Sequence, residues 1–349
     1  MSEQDVTIPA ADESARVEKE APAARERRSG LLHGAAGRNL GLVIALAVLC
    51  LVGVITAGDR FVGTANILTI LRLAAVTGVL SIGMTFVITG AGIDLSVGSV
   101  LGLSSVWAST VATQTMAQDT HWIVMVGCAL LVGLGAGIVN GVLIAYGKVV
   151  AFIATLAMMV SARGLAEIIA NRQTQVVEVQ GFLDFFSGSF LGVPALVWIF
   201  AVVSVIGWVL LNRTTFGRRT VAVGGNPEAA RLAGINVKRH TMYLYALAGL
   251  AAGIGGVMML GRTTAGSSTN GQFYELDAIA AVVVGGTLLA GGRGTIVGTV
   301  LGVLIFSTLT NVFTQNNLSI SAQAVAKGVI IVVAVLLQQR IAERSRAGT

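Results

Sequence analysis

Charge is scarce in this chain: Asp, Glu, Lys and Arg make up only 11% of its 349 residues, against about a quarter in soluble domains. That scarcity excludes an ordinary water-soluble fold, and the mean hydropathy of +0.82 agrees. Only two cysteines occur, Cys50 and Cys128, each inside an apolar run, so neither a disulfide framework nor a thiolate metal site follows. His33, His121 and His240 sit at the edges of hydrophobic segments and form no metal constellation. Four prolines leave no room for a Pro-rich linker or a collagen repeat. A phosphate loop is excluded because no Gly-x-x-x-x-Gly-Lys-Ser/Thr string occurs. No basic face with interleaved aromatics is present either, so the net charge of +6 does not signal nucleic acid.

What the chain does have is long hydrophobic runs and 44 glycines. A membrane helix needs about 20 mostly apolar residues. On that scale the spans are 40–56, 67–89, 95–111, 122–145, 149–169, 193–211, 243–260, 276–290, 295–313 and 322–337. The expected fold is therefore all-α and polytopic, with about ten transmembrane helices. Residues 1–38 read as a polar, disordered cytoplasmic tail that holds 7 of the 17 acidic and 6 of the 23 basic residues. They lack the apolar core and cleavage site of a signal peptide, so the first run is expected to remain as a span. The membrane domain covers 39–338, and 339–349 form a second cytoplasmic tail.

The basic residues test this layout independently, because cytoplasmic loops collect Lys and Arg. With both termini inside, 17 of the 23 basic residues fall on the cytoplasmic side, and only Arg60, Arg172 and Arg262 lie outside. Two loops are long. Residues 171–192, outside, carry Phe182, Phe185 and Phe186 and suit a helix lying in the interface. Residues 212–240, inside, form the largest cytoplasmic loop.

Glycines spaced by four, Gly133/Gly137/Gly141 and Gly294/Gly298/Gly302, make grooves where another backbone can approach in lipid. Within the cytoplasmic loop, Gly224–Gly234 reads G-G-N-P-E-A-A-R-L-A-G. Asn226 suits an N-cap, Pro227 the first helical position, Glu228 the positive helix end and Gly234 the terminator. A helix of two turns is unstable alone in water, so its face of Ala229, Ala230 and Ala233 is expected to dock on lipid or, as we prefer, on a cytoplasmic partner. The string I-D-L-S-V-G-S, Ile93–Ser99, joins two apolar segments, and an acidic residue there needs a paired or functional setting. Asp94, Ser96 and Ser99 either cap and hinge the next span or touch a passing polar substrate. Asn140, Thr155, Arg163, Glu167, Asn311, Gln323 and Lys327 read as interhelical hydrogen bonds or snorkelling side chains. So few embedded charges argue against ion coupling and for a neutral, hydroxylated cargo.

Four strings in order carry a family resemblance: T-G-A-G-I-D-L-S-V-G-S (Thr89–Ser99), A-F-I-A-T-L-A-M-M (Ala151–Met159), G-G-N-P-E-A-A-R-L-A-G-I (Gly224–Ile235) and Y-E-L-D-A-I-A-A-V-V-V-G-G-T (Tyr274–Thr287). Over about 66–338 the chain resembles permease subunits of bacterial ATP-binding-cassette importers for simple sugars, the ribose, xylose, arabinose and galactose group. Ala151 departs from it, standing where the family often has proline, as does Ala157, where glycine is usual. The resemblance implies a multi-pass subunit of the bacterial plasma membrane, non-enzymatic, working with a second permease copy, an extracytoplasmic sugar-binding protein and an ATPase that binds the ATP and Mg. It matches Gly225, Asn226, Pro227, Glu228, Ala229, Ala230, Arg231 and Gly234 to a coupling helix seated on that ATPase. It makes Asp94, Ser96, Ser99, Asn140 and Thr155 candidates for the pathway or its hinge, and Arg60, Arg172 and Arg262 candidates for docking the binding protein. Related importers of nucleosides or branched-chain amino acids, and an ATP-independent secondary transporter, are the alternatives.

Overall fold

The computed structural model describes residues 35–330 and 332–333. The chain runs α1 (Ala35–Ala57), α2 (Asp59–Val62), α3 (Thr64–Thr89), α4 (Val97–Ala108), α5 (Val111–Asp119), α6 (Ile123–Ala145) and α7 (Ala151–Ile169). It continues through α8 (Gln180–Ser187), α9 (Ala195–Arg213), α10 (Thr215–Gly225), α11 (Pro227–Leu232), α12 (Val237–Thr263), α13 (Tyr274–Val284), α14 (Ile296–Gln315) and a further apolar helix, α15 (Ile320–Ile330). Two antiparallel pairs of two-residue strands complete it: β1 (Gln175–Val176) with β4 (Ala265–Gly266), and β2 (Ser189–Phe190) with β3 (Val193–Pro194). The first helix opens at Ala35, inside the stretch assigned to the N-terminal tail; the rest of that tail and the tail at 339–349 lie outside the described residues.

Among the described residues, each of the ten apolar segments contains a helix. Seven helices are long and apolar enough to cross a membrane: α1, α3, α6, α7, α9, α12 and α14. α4 and α13 are shorter, at 12 and 11 residues, and α15 is described only over Ile320–Ile330 and at 332–333. At 1.5 Å per residue the 12 residues of α4 reach about 18 Å, well short of a hydrocarbon core of about 30 Å.

α12 is the centre, with 83% of its most apolar window buried, while α1, α7 and α9 lie at the periphery with 17%, 22% and 22%. Lipid offers no hydrophobic drive for helices to associate, so close contact rests on small residues. Gly133, Gly137 and Gly141 of α6 meet Gly249, Gly253, Tyr245 and Met242 of α12 so closely that a methyl at any of the three would strike backbone. Gly298 and Gly302 of α14 likewise meet Gly285 and Ala281 at α13. The first glycine spacing thus serves as a helix contact throughout, whereas in the second only Gly298 and Gly302 do, Gly294 lying before α14 against the Thr89 side chain.

Polar side chains, buried or half-buried, fasten two further joints. Asn66 and Asn311 exchange amide hydrogen bonds at 3.1 and 2.8 Å, joining α3 to α14. The Lys327 ammonium bridges to both Asp277 oxygens at 3.0 and 3.1 Å, joining α15 to α13. The aromatic segment within 171–192 is indeed a helix, α8, but it lies on the protein: Phe182 and Phe186 are buried, and Trp122 stacks on Phe185 with centroids 5.0 Å apart. α7 begins at Ala151 after Val150, so Ala151 occupies the first helical position, where proline fits equally well.

Candidate functional site

In the loop between α9 and α12, α11 is specified by its own caps. The Asn226 side chain accepts from the Ala229 amide at 2.9 Å, and Pro227 opens the helix. The far end is a Schellman motif: the Ile235 amide donates to the Ala230 carbonyl and the Gly234 amide to the Arg231 carbonyl, both at 3.0 Å, with Gly234 at φ 82°. Arg231 and Glu228 pair on its surface at 2.9 Å. The expected three-alanine face divides, because closing the motif turns Ala230 into the protein, while Ala229 and Ala233 remain exposed beside Leu232, itself 81% exposed.

α10 ties α11 to the membrane helices through backbone contact. A methyl on Gly224 would overlap the Thr89 carbonyl at the end of α3. That same carbonyl accepts a hydrogen bond from the Gly292 amide at 2.9 Å, and Gly225 lies against Gly292. The two glycine-rich stretches, around 90–102 and 285–302, therefore meet each other and α10 at one junction.

Above this junction the chain leaves helical geometry between α3 and α4. Asp94 accepts from the Ser96 amide at 2.8 Å and from the Ser96 hydroxyl at 2.6 Å. The Ser96 oxygen accepts from the Asn140 amide group of α6 at 2.9 Å, and the Tyr245 hydroxyl of α12 donates to the Ile93 carbonyl at 3.2 Å. Asp94, Ser96 and Asn140 are thus brought together, all buried, and the carboxylate stands at the positive end of α4. Ser99 and Thr155 are buried too, but Thr155 spends its hydroxyl on the Ala151 carbonyl of its own helix at 2.8 Å.

Between α12 and α13 lies a segment whose polar composition suggests an external loop. After α12 the chain turns back and descends along α4: Gly266 lies against Ser105 and Ser109, Asn270 against Gly102, and Gly271 against Gly98. From Ser109 to Gly98 is about 16 Å along a helix, so this irregular segment runs back over a length about half that of a hydrocarbon core. Arg163 of α7 holds it by donating through one guanidinium nitrogen to the carbonyls of Ser268 and Asn270. The Asn270 amide group donates to Ser105 Oγ at 3.2 Å and to the Ala265 carbonyl at 3.1 Å. Glu275, buried in the first turn of α13, places Oε2 beside Gly98, with no hydrogen-bond partner among the described residues. Thr269, Gln272 and Phe273 are exposed. The signal was available as S-S-T-N-G-Q, 267–272, a polar run without a single charge between two apolar helices.

Among the described residues Arg172 and Arg262 have local partners, and Arg60 has only its position on a short helix. Arg60 is on the one-turn α2. Arg172 is 85% exposed along its side chain and 3.7 Å from Glu167, and Arg262, in the last turn of α12, reaches the Tyr274 hydroxyl at 3.5 Å.

A family profile described as "Branched-chain amino acid transport system / permease component" matches residues 66–337. The chain belongs to this family of permease components. Among curated relatives, this permease is 43% identical to the ribose import permease protein of Bacillus subtilis over 87% of its own length and 93% of that protein. The ribose import permease protein of Escherichia coli K12 is 40% identical over 84% and 92%. The L-arabinose ABC transporter permease protein of Azospirillum brasilense is 37% identical over 88% and 89%. No solved structure matches it. As a permease component it is the transporting, non-catalytic part of a bacterial importer, multi-pass in the membrane.

Proposed function

We propose that this permease forms the passage of an ATP-driven importer for a pentose-class sugar, with two permease copies, a separate ATPase beneath and a binding protein outside. Likeness to import permeases for ribose and L-arabinose over nearly nine-tenths of the chain supports the sugar. The observation that carries the passage is the segment 266–273. Irregular backbone at membrane depth is tolerated only when covered by protein or facing water. Its exposed Thr269 and Gln272 therefore face a watery passage whose other wall is the second copy. Uncharged donors and acceptors of this kind exchange hydrogen bonds with sugar hydroxyls as they replace water.

Drive enters through Gly225–Gly234. In this scheme α11 seats in the ATPase with Leu232, Ala229 and Ala233 outermost, while Asn226, Pro227, Glu228, Arg231 and Gly234 maintain its shape and Ala230 fixes it to the permease. Pressure there passes through Gly224 to the ends of α3 and of the α13–α14 turn. The Asp94–Ser96–Asn140 cluster then acts as a hinge at the α3–α4 break, with Ser99 and Thr155 packing beside it, in preference to direct sugar contact. Arg60, Arg172 and Arg262 remain the cationic groups offered to acidic residues on the binding protein. A ligand-driven cycle of this kind requires contacts that differ between outward and inward states, and the segment 266–273 and the α10 junction are the two places built to supply them.

The family description favours a second reading, branched-chain amino acid transport. A zwitterion would need charged partners in the passage, whereas Arg163 already serves the Ser268 and Asn270 carbonyls. Uptake by proteoliposomes holding the permease, its ATPase and its binding protein decides between them. ATP-dependent accumulation of labelled ribose or arabinose, at least tenfold above leucine, is expected. Leucine uptake equal to or above pentose uptake, or pentose uptake without ATP, overturns the reading.

A further inference from the structure

Two hollows adjoin where the cytoplasmic ends of α9, α10 and α12 meet. One is polar, about 420 Å³, with Arg219, Arg239, His240 and Asn236 in its walls. The other is apolar, about 260 Å³, walled by Leu134, Leu210, Ala246, Leu247 and Leu250. Phe216 and Tyr243 line both, so the polar hollow and the apolar groove are immediate neighbours. From Tyr243 to Leu250 the groove climbs about 10 Å along α12, away from the cytoplasmic end.

The polar hollow is built and cationic. His240 is buried, shares a hydrogen bond with Thr220 Oγ1 at 2.9 Å and packs at a tilt against Phe216 with ring centroids 4.7 Å apart, which fixes the floor. Arg239 donates from Nε to the Tyr243 hydroxyl at 2.6 Å, which fixes one wall. Neither Arg219 nor Arg239 has a carboxylate within ion-pair distance among the described residues. Between 212 and 240 the one acidic residue is Glu228, and Arg231 already holds it. Asn236 caps α12 by accepting from the Arg239 amide at 3.0 Å, so the positive end of a 27-residue helix opens onto the same hollow.

We propose that the two hollows form one site for an anionic phospholipid of the inner leaflet, its phosphate on Arg219 and Arg239 and an acyl chain in the groove. Guanidinium groups suit phosphate oxygens, and an apolar channel leading from them into hydrocarbon suits a chain attached to that phosphate. An acidic side chain from a partner protein would fill the polar hollow and leave the groove empty. A second permease copy would fill the groove and have no use for the arginines. The lipid joins α9 and α10 to α12 directly beside α11, so the leaflet's anionic lipid braces the segment that carries α11.

Native mass spectrometry of the full-length permease in its assembled transporter tests this, with dioleoylphosphatidylglycerol and dioleoylphosphatidylcholine as probes and glycerol 3-phosphate as the headgroup alone. Phosphatidylglycerol is expected to saturate at one per permease chain and to bind at least tenfold more tightly than phosphatidylcholine. Arg219→Ala and Arg239→Ala should each weaken it about fivefold, and together about thirtyfold. Ala246→Trp, which removes no charge, should remove the same adduct by filling the groove; Leu250→Phe replaces it if that variant does not insert. Equal binding of the two lipids overturns the proposal in favour of a generic lipid-facing surface. Full competition by glycerol 3-phosphate, with Ala246→Trp without effect, overturns it in favour of a soluble anion. Dissociation of the permease pair by Ala246→Trp, with lipid retained, assigns the groove to the second copy and overturns it too.

Discussion

Where α6 crosses α12, glycines let two continuous helices touch; where α4 faces residues 265–273, glycines let one short helix touch irregular backbone. The first seam is self-sufficient, since each helix satisfies its own backbone and only shape matters between them. The second is conditional. Its carbonyls depend on Arg163, a side chain more than a hundred residues away in sequence, and its exposed residues depend on water or a second subunit. The difference teaches where this permease is built to stay and where it is built to change.

Substitutions should separate the two. Gly137→Val forces a side chain into the α12 backbone and should cost about 3 kcal/mol or more, read as the largest loss of melting temperature in detergent. Arg163→Ala leaves the Ser268 and Asn270 carbonyls without their donor and should cost about 2 kcal/mol. Its signature is different: uptake should fall at least tenfold while most of the folded population persists, because the damage stays within the segment. If Arg163→Ala instead melts the protein as Gly137→Val does, the two regions are not distinct. Asn226→Ala removes one N-cap and should cost about 1 kcal/mol at α11 alone. Global melting should be unmoved, and the retention of the ATPase on purification should drop by a few-fold.

Legibility in the sequence follows the same division. α11 was readable residue by residue because caps act over four or five positions: Asn226, Pro227 and Gly234 do what their types do anywhere. The glycine ridges were readable as contact faces, though not their partners. Among the described residues each of the ten apolar runs holds a helix, in order, yet hydropathy could not see that 95–111 and 276–290 hold short ones. The residues after Val284, Gly-Gly-Thr-Leu-Leu-Ala, are as apolar as a helix, and only the backbone at Gly286, φ 89°, ends it. The descending segment was hidden for the opposite reason. Polar residues 267–272 look like an external loop, and what draws them inward is Arg163, Gly98 and Gly102, each remote in sequence. Asp94 was singled out for its cost in an apolar setting; that Asn140 and Tyr245 would share its cluster depended on how α6 and α12 cross.

The claim that residues 266–273 line a watery passage is tested most directly by thiol chemistry. With only Cys50 and Cys128 to replace by serine, Gln272→Cys can be reacted with a membrane-impermeant, charged thiosulfonate in the reconstituted importer. Leu131→Cys, exposed on α6 away from the seam, serves as the lipid-facing control. Gln272→Cys should react from the aqueous phase at a rate that changes at least tenfold between nucleotide-free and ATP-trapped states, while Leu131→Cys stays inert. A Gln272→Cys thiol as inert as that control in both states would contradict the account.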